Sequence, residues 1–374
     1  MKITGMTTRV LAIDPSPWYG DDPIPPDVPA VWRYPLTCIS TNEGIEGWTM
    51  GYGANDEGRG SAYQLHDVYL PVILGKDPLR QEALWQELMA LNRHLYPISD
   101  GLLGMLDVAF WDIRGKVAGM PIGEMLGLYR DRMPVYRTGS HYNETPEMAF
   151  AEAQQMQQEG YHGYKLTFFD GPARDIPRLR AARDAVGPDF PLMLDCVSGL
   201  NFTQALQVGR ALDELNFHWF EEPIPDRHVD MLKRLAQELA VPILATETVR
   251  LRELPQYIQH HAVDLARGDV FIKAGITGLR KASAMYELFG FNLEIHALHS
   301  PLLDIANLHV ACSVNNCEFL ELHDPMFRFG LKHAPLDMDA DGYLHLPAGP
   351  GLGVELDWDW IDNHTVETIS GDTT

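Results

Sequence analysis

Leu192-Met193-Leu194-Asp195, Trp219-Phe220-Glu221 and Ile243-Leu244-Ala245-Thr246-Glu247 are three short apolar runs, each ending on an acid. Glu221 stands 26 residues after Asp195 and 26 before Glu247. Continuous apolar runs of this length read as strands of a parallel sheet, buried on both faces. A crossover between parallel strands takes a dozen residues or more, so this spacing holds one strand, one helix and two loops. The pattern is β-α-β-α-β with a carboxylate at the C-terminal end of each strand, the end where a (β/α)₈ barrel carries its chemistry. A single acid at a strand end often just faces water. Three in register would repel unless a hard cation joined them, and Mg²⁺ suits an all-oxygen site that keeps positions open for water or substrate.

The alternation extends in both directions. Met133-Pro134-Val135-Tyr136-Arg137-Thr138 and Gly163-Tyr164-Lys165-Leu166-Thr167-Phe168 precede it. Val263-Asp264-Leu265-Ala266 (leading to Asp269), Asn292-Leu293-Glu294-Ile295-His296 and Glu318-Phe319-Leu320-Glu321 follow it. That predicts eight strands separated by seven helices, with Thr145-Pro146 opening the first helix. Upstream, the order changes to strands and then helices. Arg9–Ile13 reads as a strand, and Leu36–Thr41 turns at Asn42-Glu43-Gly44 into Glu46–Tyr52, a hairpin. Leu79–Leu95 behind Asp77-Pro78, and Leu102–Val117, read as helices. The expected units are an α+β domain over 1–127, a barrel over 128–341, and a tail over 342–374 that packs back on the first unit. Pro15–Pro29, rich in Pro, Asp and Gly and carrying Trp18 and Tyr19, reads as a lid over the barrel mouth.

The formal charge of −23 argues against nucleic acid or an anionic membrane as partner. No apolar run is long enough to span a bilayer, and Met1-Lys2-Ile3-Thr4-Gly5 has no signal-peptide core, so a cytoplasmic protein is expected. Cys38, Cys196, Cys312 and Cys317 form no C-x-x-C pair, which suggests neither a zinc knuckle nor a disulfide framework.

Side chains alternate along a strand, so Lys165 and Thr167 share a face. Pointing into the mouth, Lys165 could neutralise a substrate carboxylate. Asp269 and His296 end consecutive strands, where contact would let the carboxylate fix the imidazole tautomer and raise its basicity. Such a dyad suits a general base. His299 lies close by and competes for the role. Asp337-x-Asp339-x-Asp341-Gly342 starts like an EF-hand loop but has Ala348 where the closing Glu belongs, so it reads as a polar turn. Neither a dinucleotide loop nor a G-x-S-x-G elbow is present.

Taken together, these residues resemble the mandelate racemase subgroup of the enolase superfamily, over nearly the whole chain. The likeness rests on Trp111-Asp112-Ile113-Arg114-Gly115-Lys116-Val117-Ala118-Gly119-Met120-Pro121, on Glu221-Glu222-Pro223, on Asp269 ahead of Ala274-Gly275-Ile276-Thr277, and on Pro350-Gly351-Leu352-Gly353-Val354. It implies a (β/α)₇β modified barrel under an α+β capping domain built from the N-terminal segment and the tail. It also implies one Mg²⁺ per subunit on Asp195, Glu221 and Glu247, a catalytic His296 partnered by Asp269, and Glu321 bonded to the substrate carboxylate. A homo-oligomer, dimer to octamer, is a further implication. The shared first step is removal of the proton α to a carboxylate, giving a metal-stabilised enediolate. The sequence departs from the family pattern in two places. Thr167 stands where a second lysine, the base for the other face, is usual, and Val197 stands where Asn is usual. An acid-sugar dehydratase is therefore the expected function, with a racemase or epimerase and a carboxylate cycloisomerase as alternatives. Trp18, Tyr19 and Tyr52 are the candidate substrate-reading residues beyond Lys165, Thr167 and Glu321.

Overall fold

The computed structural model describes residues 1–19, 28–53, 57–92, 99–139 and 145–372. Three strands come first: β1 (Ile3–Ile13), β2 (Trp32–Thr41) and β3 (Glu46–Met50). The parallel series then runs β4 (Arg132–Thr138), β5 (Gly163–Thr167), β6 (Leu192–Asp195), β7 (Trp219–Glu221), β8 (Ile243–Ala245), β9 (Leu265–Gly268), β10 (Asn292–Ile295) and β11 (Leu320–Leu322). The tail adds β12 (Tyr343–His345) and β13 (Thr365–Asp372).

β4 to β11 pair in sequence order, and β11 closes on β4 through Leu320↔Val135 and Glu321↔Tyr136. Among the described residues, seven α-helices fill the intervals, from Pro146–Gln158 to Pro301–Ser313. The fold is thus a closed parallel (β/α)₇β barrel. Alternation along the strands divides its interior into layers. Tyr136, Met193, Trp219, Leu244 and Phe319 pack into a buried apolar plug. Two residues further along their strands, toward the C-terminal end, come Asp195 after Met193, Glu221 after Trp219 and Glu321 after Phe319. Lys165 and Arg267 are buried, and their charged ends reach these acids, so a charged layer rests on an apolar floor.

A second, antiparallel sheet has the order β13-β1-β2-β3, so the end of the chain completes the N-terminal sheet. The helix Asp100–Ala118 packs against β3, with Gly47 so close to Ala109 that an added Cβ would lie 2.1 Å from its carbonyl oxygen. The signature around Trp111 joins the parts. Asp112 accepts from Leu352 N at 2.9 Å and Trp48 N at 2.9 Å, and Lys116 Nζ donates to it at 2.6 Å. Gly351 takes a left-handed φ of 71° and sits against Asp112 and Gly115, a place no side chain fits. Trp111 Nε1 donates to Thr277 Oγ1 at 3.0 Å, and Asp107 accepts from Thr277 N at 2.8 Å, fixing the capping helix to the barrel.

Some local readings shift. Asp77 caps a turn, accepting from Leu79 N at 3.1 Å, and the helix starts later, at Gln81–Ala90. The helical run Glu57–Gln64, Leu65–Tyr69 and Leu70–Ile73 carries little apolar periodicity at its start and was not foreseen. Of the Pro15–Pro29 segment, Ser16–Tyr19 is one helical turn, and residues 20–27 lie outside the described residues, as does the expected helix end at 93–95. Among the described residues, no helix is long and apolar enough to cross a membrane. All four cysteines are buried and free.

Candidate active site

The loops that leave the barrel strands are held in unusual backbone conformations. Val197 and Ser198 after β6, Glu222 after β7, Thr246 after β8 and His299 after β10 all have positive φ. For Thr246, a β-branched residue, the φ of 86° is costly and must be imposed by its surroundings. Asp226 does this: it accepts from Thr246 N at 2.9 Å, Thr248 N at 3.0 Å and Thr248 Oγ1 at 2.8 Å. Lys273 completes the clamp by donating to the carbonyls of Thr246, Glu247 and Val249 at 2.6–2.8 Å. Glu247 therefore projects from a loop tied down on both sides.

Below the mouth, Lys165 is 2% exposed, and its Nζ donates to Asp195 Oδ2 at 3.2 Å, Glu221 Oε2 at 3.2 Å and Glu321 Oε1 at 2.9 Å. Burial opposes its charge, but Glu221 and Glu321 outweigh that and hold its pKa well above the ordinary lysine value. Arg267 lies beside it, fully buried. Its Nε is 2.8 Å from Glu221 Oε1, and its Nη2 reaches Glu321 and the Tyr136 hydroxyl. Glu321 also accepts from Ala297 N at 3.1 Å and from Thr138. Despite its burial, the two cations keep it well below the usual carboxylate range.

Asp269, fully buried, accepts from Phe271 N at 2.7 Å and Ile272 N at 2.8 Å through Oδ1. Its Oδ2 meets His296 Nδ1 at 3.1 Å. The opposite nitrogen, Nε2, faces Glu247 Oε2 at 3.8 Å. Burial lowers the imidazole pKa, but the Glu247 charge and the Asp269 hydrogen bond reverse this and raise it to about 9. Asn307 braces the strand end by donating to His296 O at 2.9 Å and accepting from Val270 N at 2.9 Å.

These groups surround a cavity enclosing about 560 Å³ of non-protein space, its open mouth included. Asp195, Glu247, Lys165, Thr167, His296 and Glu321 line it, and Trp18 reaches it from the N-terminal unit. Tyr19 is packed in the core, and Tyr52 stands behind His299 with ring centroids 6.5 Å apart; neither lines the cavity. His299 is stacked on Phe327 at 4.2 Å, away from Asp269's hydrogen bond. Glu221 lies beneath the cavity, whereas its neighbour Glu222 lines it.

Asp195 and Glu221 are register partners, and Glu247 follows on the next strand. Their oxygens are nevertheless not drawn into one mutual cluster. Among the described residues, the three candidate ligand atoms within 4.8 Å of one another belong to His296, Glu321 and His323. The carboxylate set still has the chemistry of a hard-cation site. Among the described residues, Glu222 Oε1 is buried without a hydrogen-bond partner. Burial and the charges of Glu247, Asp226, Asp195 and Glu221 push the Glu222 carboxyl up to about 10. Such crowding favours a divalent cation.

Arg267, Glu222, Asp226, Lys273 and His323 escaped the sequence reading. Arg267 carried a signal, a charge inside Leu265-Ala266-Arg267-Gly268, and so did His323, two residues after Glu321 and therefore on the same strand face.

Comparison with known proteins agrees with this architecture. Residues 148–360 match the family described as enolase C-terminal domain-like. Residues 31–127 match the mandelate racemase / muconate lactonizing enzyme N-terminal domain. The chain is 30% identical to an arabinonate dehydratase of Saccharolobus solfataricus, over 86% of this chain and 87% of the relative. It is 28% identical to a D-galactarolactone cycloisomerase of Agrobacterium fabrum, over 87% and 89% of the two chains. Among solved structures, D-glucarate dehydratase from Agrobacterium tumefaciens, complexed with magnesium, superposes with a TM-score of 0.86 at 28% identity, covering 98% of this chain and all of the other.

Proposed function

The chain belongs to the mandelate racemase / muconate lactonizing enzyme family of the enolase superfamily, and from that premise we propose that it is a Mg²⁺-dependent acid-sugar dehydratase. The observation that carries the reading is an asymmetry. His296, backed by Asp269, has its Nε2 turned toward Glu247 and the cavity, while the strand opposite offers Thr167 where a second base would stand. One strong base suffices to dehydrate a polyhydroxy acid; inversion at the α-carbon needs two.

Asp195, Glu221 and Glu247 would hold one Mg²⁺ per subunit, with Glu222 beside them. When bound, the ion supplies Lewis-acid stabilisation of charge on the substrate carboxylate. Lys165 neutralises that carboxylate from below, and Glu321, ionised between Lys165 and Arg267, holds the lysine in place. His296 takes the α-proton and becomes an imidazolium, poised to return a proton to the departing 3-hydroxyl on the same face. Asp269 fixes the imidazole tautomer throughout. Loss of one water leaves the 2,3-enol, which gives up its 2-hydroxyl proton and takes a solvent proton at C3 to become the 2-keto-3-deoxy acid. A 28% identical relative is named a D-galactarolactone cycloisomerase, which keeps a cycloisomerase as the second reading; in this scheme it would differ only after proton removal.

The test is a screen of mono- and diacid sugars with Mg²⁺, reading 2-keto product as its semicarbazone. Product with the native protein, none after EDTA, and none with His296→Asn is the expected result. Activity that survives His296→Asn, or is lost in His299→Asn alone, overturns the assignment of the base.

A further inference from the structure

A substrate carboxylate needs hydrogen-bond donors, and Glu321 has none to offer. Its Oε1 accepts from Thr138 Oγ1 and, at 2.9 Å, from Lys165 Nζ. Its Oε2 accepts from Arg267 Nη2 and, at 3.1 Å, from Ala297 N. An ionised carboxylate has about four acceptor positions and no proton to give. Four donors fill them here, two of them cations, so Glu321 is held as a saturated anion. The family resemblance gives it the contact to the substrate carboxylate; this packing leaves that contact to another group.

His323 stands beside it. It lies just past β11, two residues beyond Glu321 and one step nearer the mouth, lines the cavity and is 8% exposed. Among the described residues, neither of its ring nitrogens has a hydrogen-bond partner. Its Nε2 is 3.8 Å from Glu321 Oε1, the oxygen that Lys165 Nζ meets at 2.9 Å, so imidazole and ammonium flank one corner of the cavity. His299 packs on the ring with centroids 3.7 Å apart, and Phe327 stacks on His299 at 4.2 Å, which fixes the ring's place. Thr167 Oγ1 is likewise buried without a partner, but no polar contact among the described residues ties it to that corner. Buried polar groups are seldom left unmade, so an orphan imidazole in a ligand cavity points to a ligand partner.

Building on the dehydratase reading, we propose that His323, in place of Glu321, is the neutral donor to the substrate carboxylate: its Nε2–H and the Lys165 ammonium close on that carboxylate from two sides. Burial above all holds the His323 pKa well below the ordinary histidine value, so the ring is neutral and donates from one nitrogen. Glu321 acts one step back, as a positioning residue that keeps Lys165 charged and in place.

The experiment is calorimetric titration of the Mg²⁺-loaded protein with lactate and with oxalate, in the native form and in His323→Phe and His323→Gln. Both ligands carry the carboxylate end without a sugar tail, so the stereochemistry of the true substrate does not enter. The native protein should bind both. His323→Phe should weaken each about 10- to 100-fold, the worth of one hydrogen bond to a charged group. His323→Gln, whose amide can also donate, should recover part of the loss. Mg²⁺ affinity, titrated separately, should stay within about 2-fold in both variants, which a merely structural role of the ring would not allow. Unchanged lactate and oxalate affinity in His323→Phe overturns the proposal. So does a native protein that binds neither ligand, or a loss in His323→Phe matched by an equal loss of Mg²⁺ affinity. The two readings fail separately. His323-dependent oxalate binding with no keto acid from any sugar acid leaves the proposal standing and removes the dehydratase reading; keto acid formed by His323→Phe with native kcat and KM does the reverse.

Discussion

Arg267→Met isolates the buried charge layer. The guanidinium is fully buried, 2.8 Å from Glu221 and in contact with Glu321. At an effective dielectric of about 20, one such pair attracts with about 6 kcal/mol. Desolvation offsets much of that, and removing one partner of a buried pair costs about 3–5 kcal/mol, because the other is left unpaired. Lys165 remains 3.2 Å from Glu221 and 2.9 Å from Glu321, which favours the lower end. At about 2.1 cal/mol/K of unfolding entropy per residue, a chain of 374 residues should then lose about 4 °C in its thermal midpoint. Scanning calorimetry in EDTA measures this. Arg267→Met combined with Glu321→Gln should recover part of the loss, since the orphaned carboxylate is neutralised. An unchanged midpoint in Arg267→Met, or a double variant less stable than the single one by a full second increment, would refute the reasoning.

Other outcomes follow from the same geometry. Glu247→Gln should weaken Mg²⁺ binding at least 10-fold by calorimetry, whereas His296→Asn should leave it within about 2-fold while abolishing turnover. His309 is buried, accepts from Gly123 N at 2.9 Å, and bonds Leu352 O at 3.1 Å. Burial lowers its pKa to about 4 in the folded state, against an ordinary 6.5. Its neutral form therefore stabilises the fold fully above pH 6.5, and about 3 kcal/mol is lost as pH falls toward 4, when the unfolded chain takes up the proton first. A His309→Gln variant should show a shallower loss of thermal midpoint over that range; an identical slope would count against the assignment. Thr167→Lys should introduce C2 epimerisation, detectable by chiral chromatography, if the missing second base is what confines the enzyme to one face.

The barrel was legible because its strands are buried on both faces and each announces itself as an apolar run. The acid at the end of each run was legible for the same reason: after Trp219-Phe220, a charge has no structural excuse. The family motifs were visible, but their work was not. Asp112, Gly115 and Gly351 meet only in three dimensions, where they lock the tail to the capping helix. Arg267 and His323 were hidden by a different cause. Each gains its meaning from partners on other strands, Glu221 and Glu321 for one and His299 for the other, and no spacing along the chain encodes that proximity. The N-terminal helical run Glu57–Ile73 was missed because its first turns are polar and glycine-containing, and packing against β1 and β2 overrides that weak local preference. Tyr19 sits in a stretch with no periodic pattern to assign it to a core, yet the core claims it.

The account rests on a single base acting on a single face, and proton NMR of the reaction in D₂O tests that most directly. The protein, loaded with Mg²⁺, is incubated with the sugar acid that the screen identifies, and the α-proton, the C3 signals and the C2 configuration are followed together. The account predicts a 2-keto-3-deoxy acid that carries one solvent deuterium beside the original proton at C3, no accumulation of the C2 epimer, and no reaction with His296→Asn. Clean C2 epimerisation with deuterium at the α-position and no keto acid would contradict it, and would require a second base on the face now occupied by Thr167.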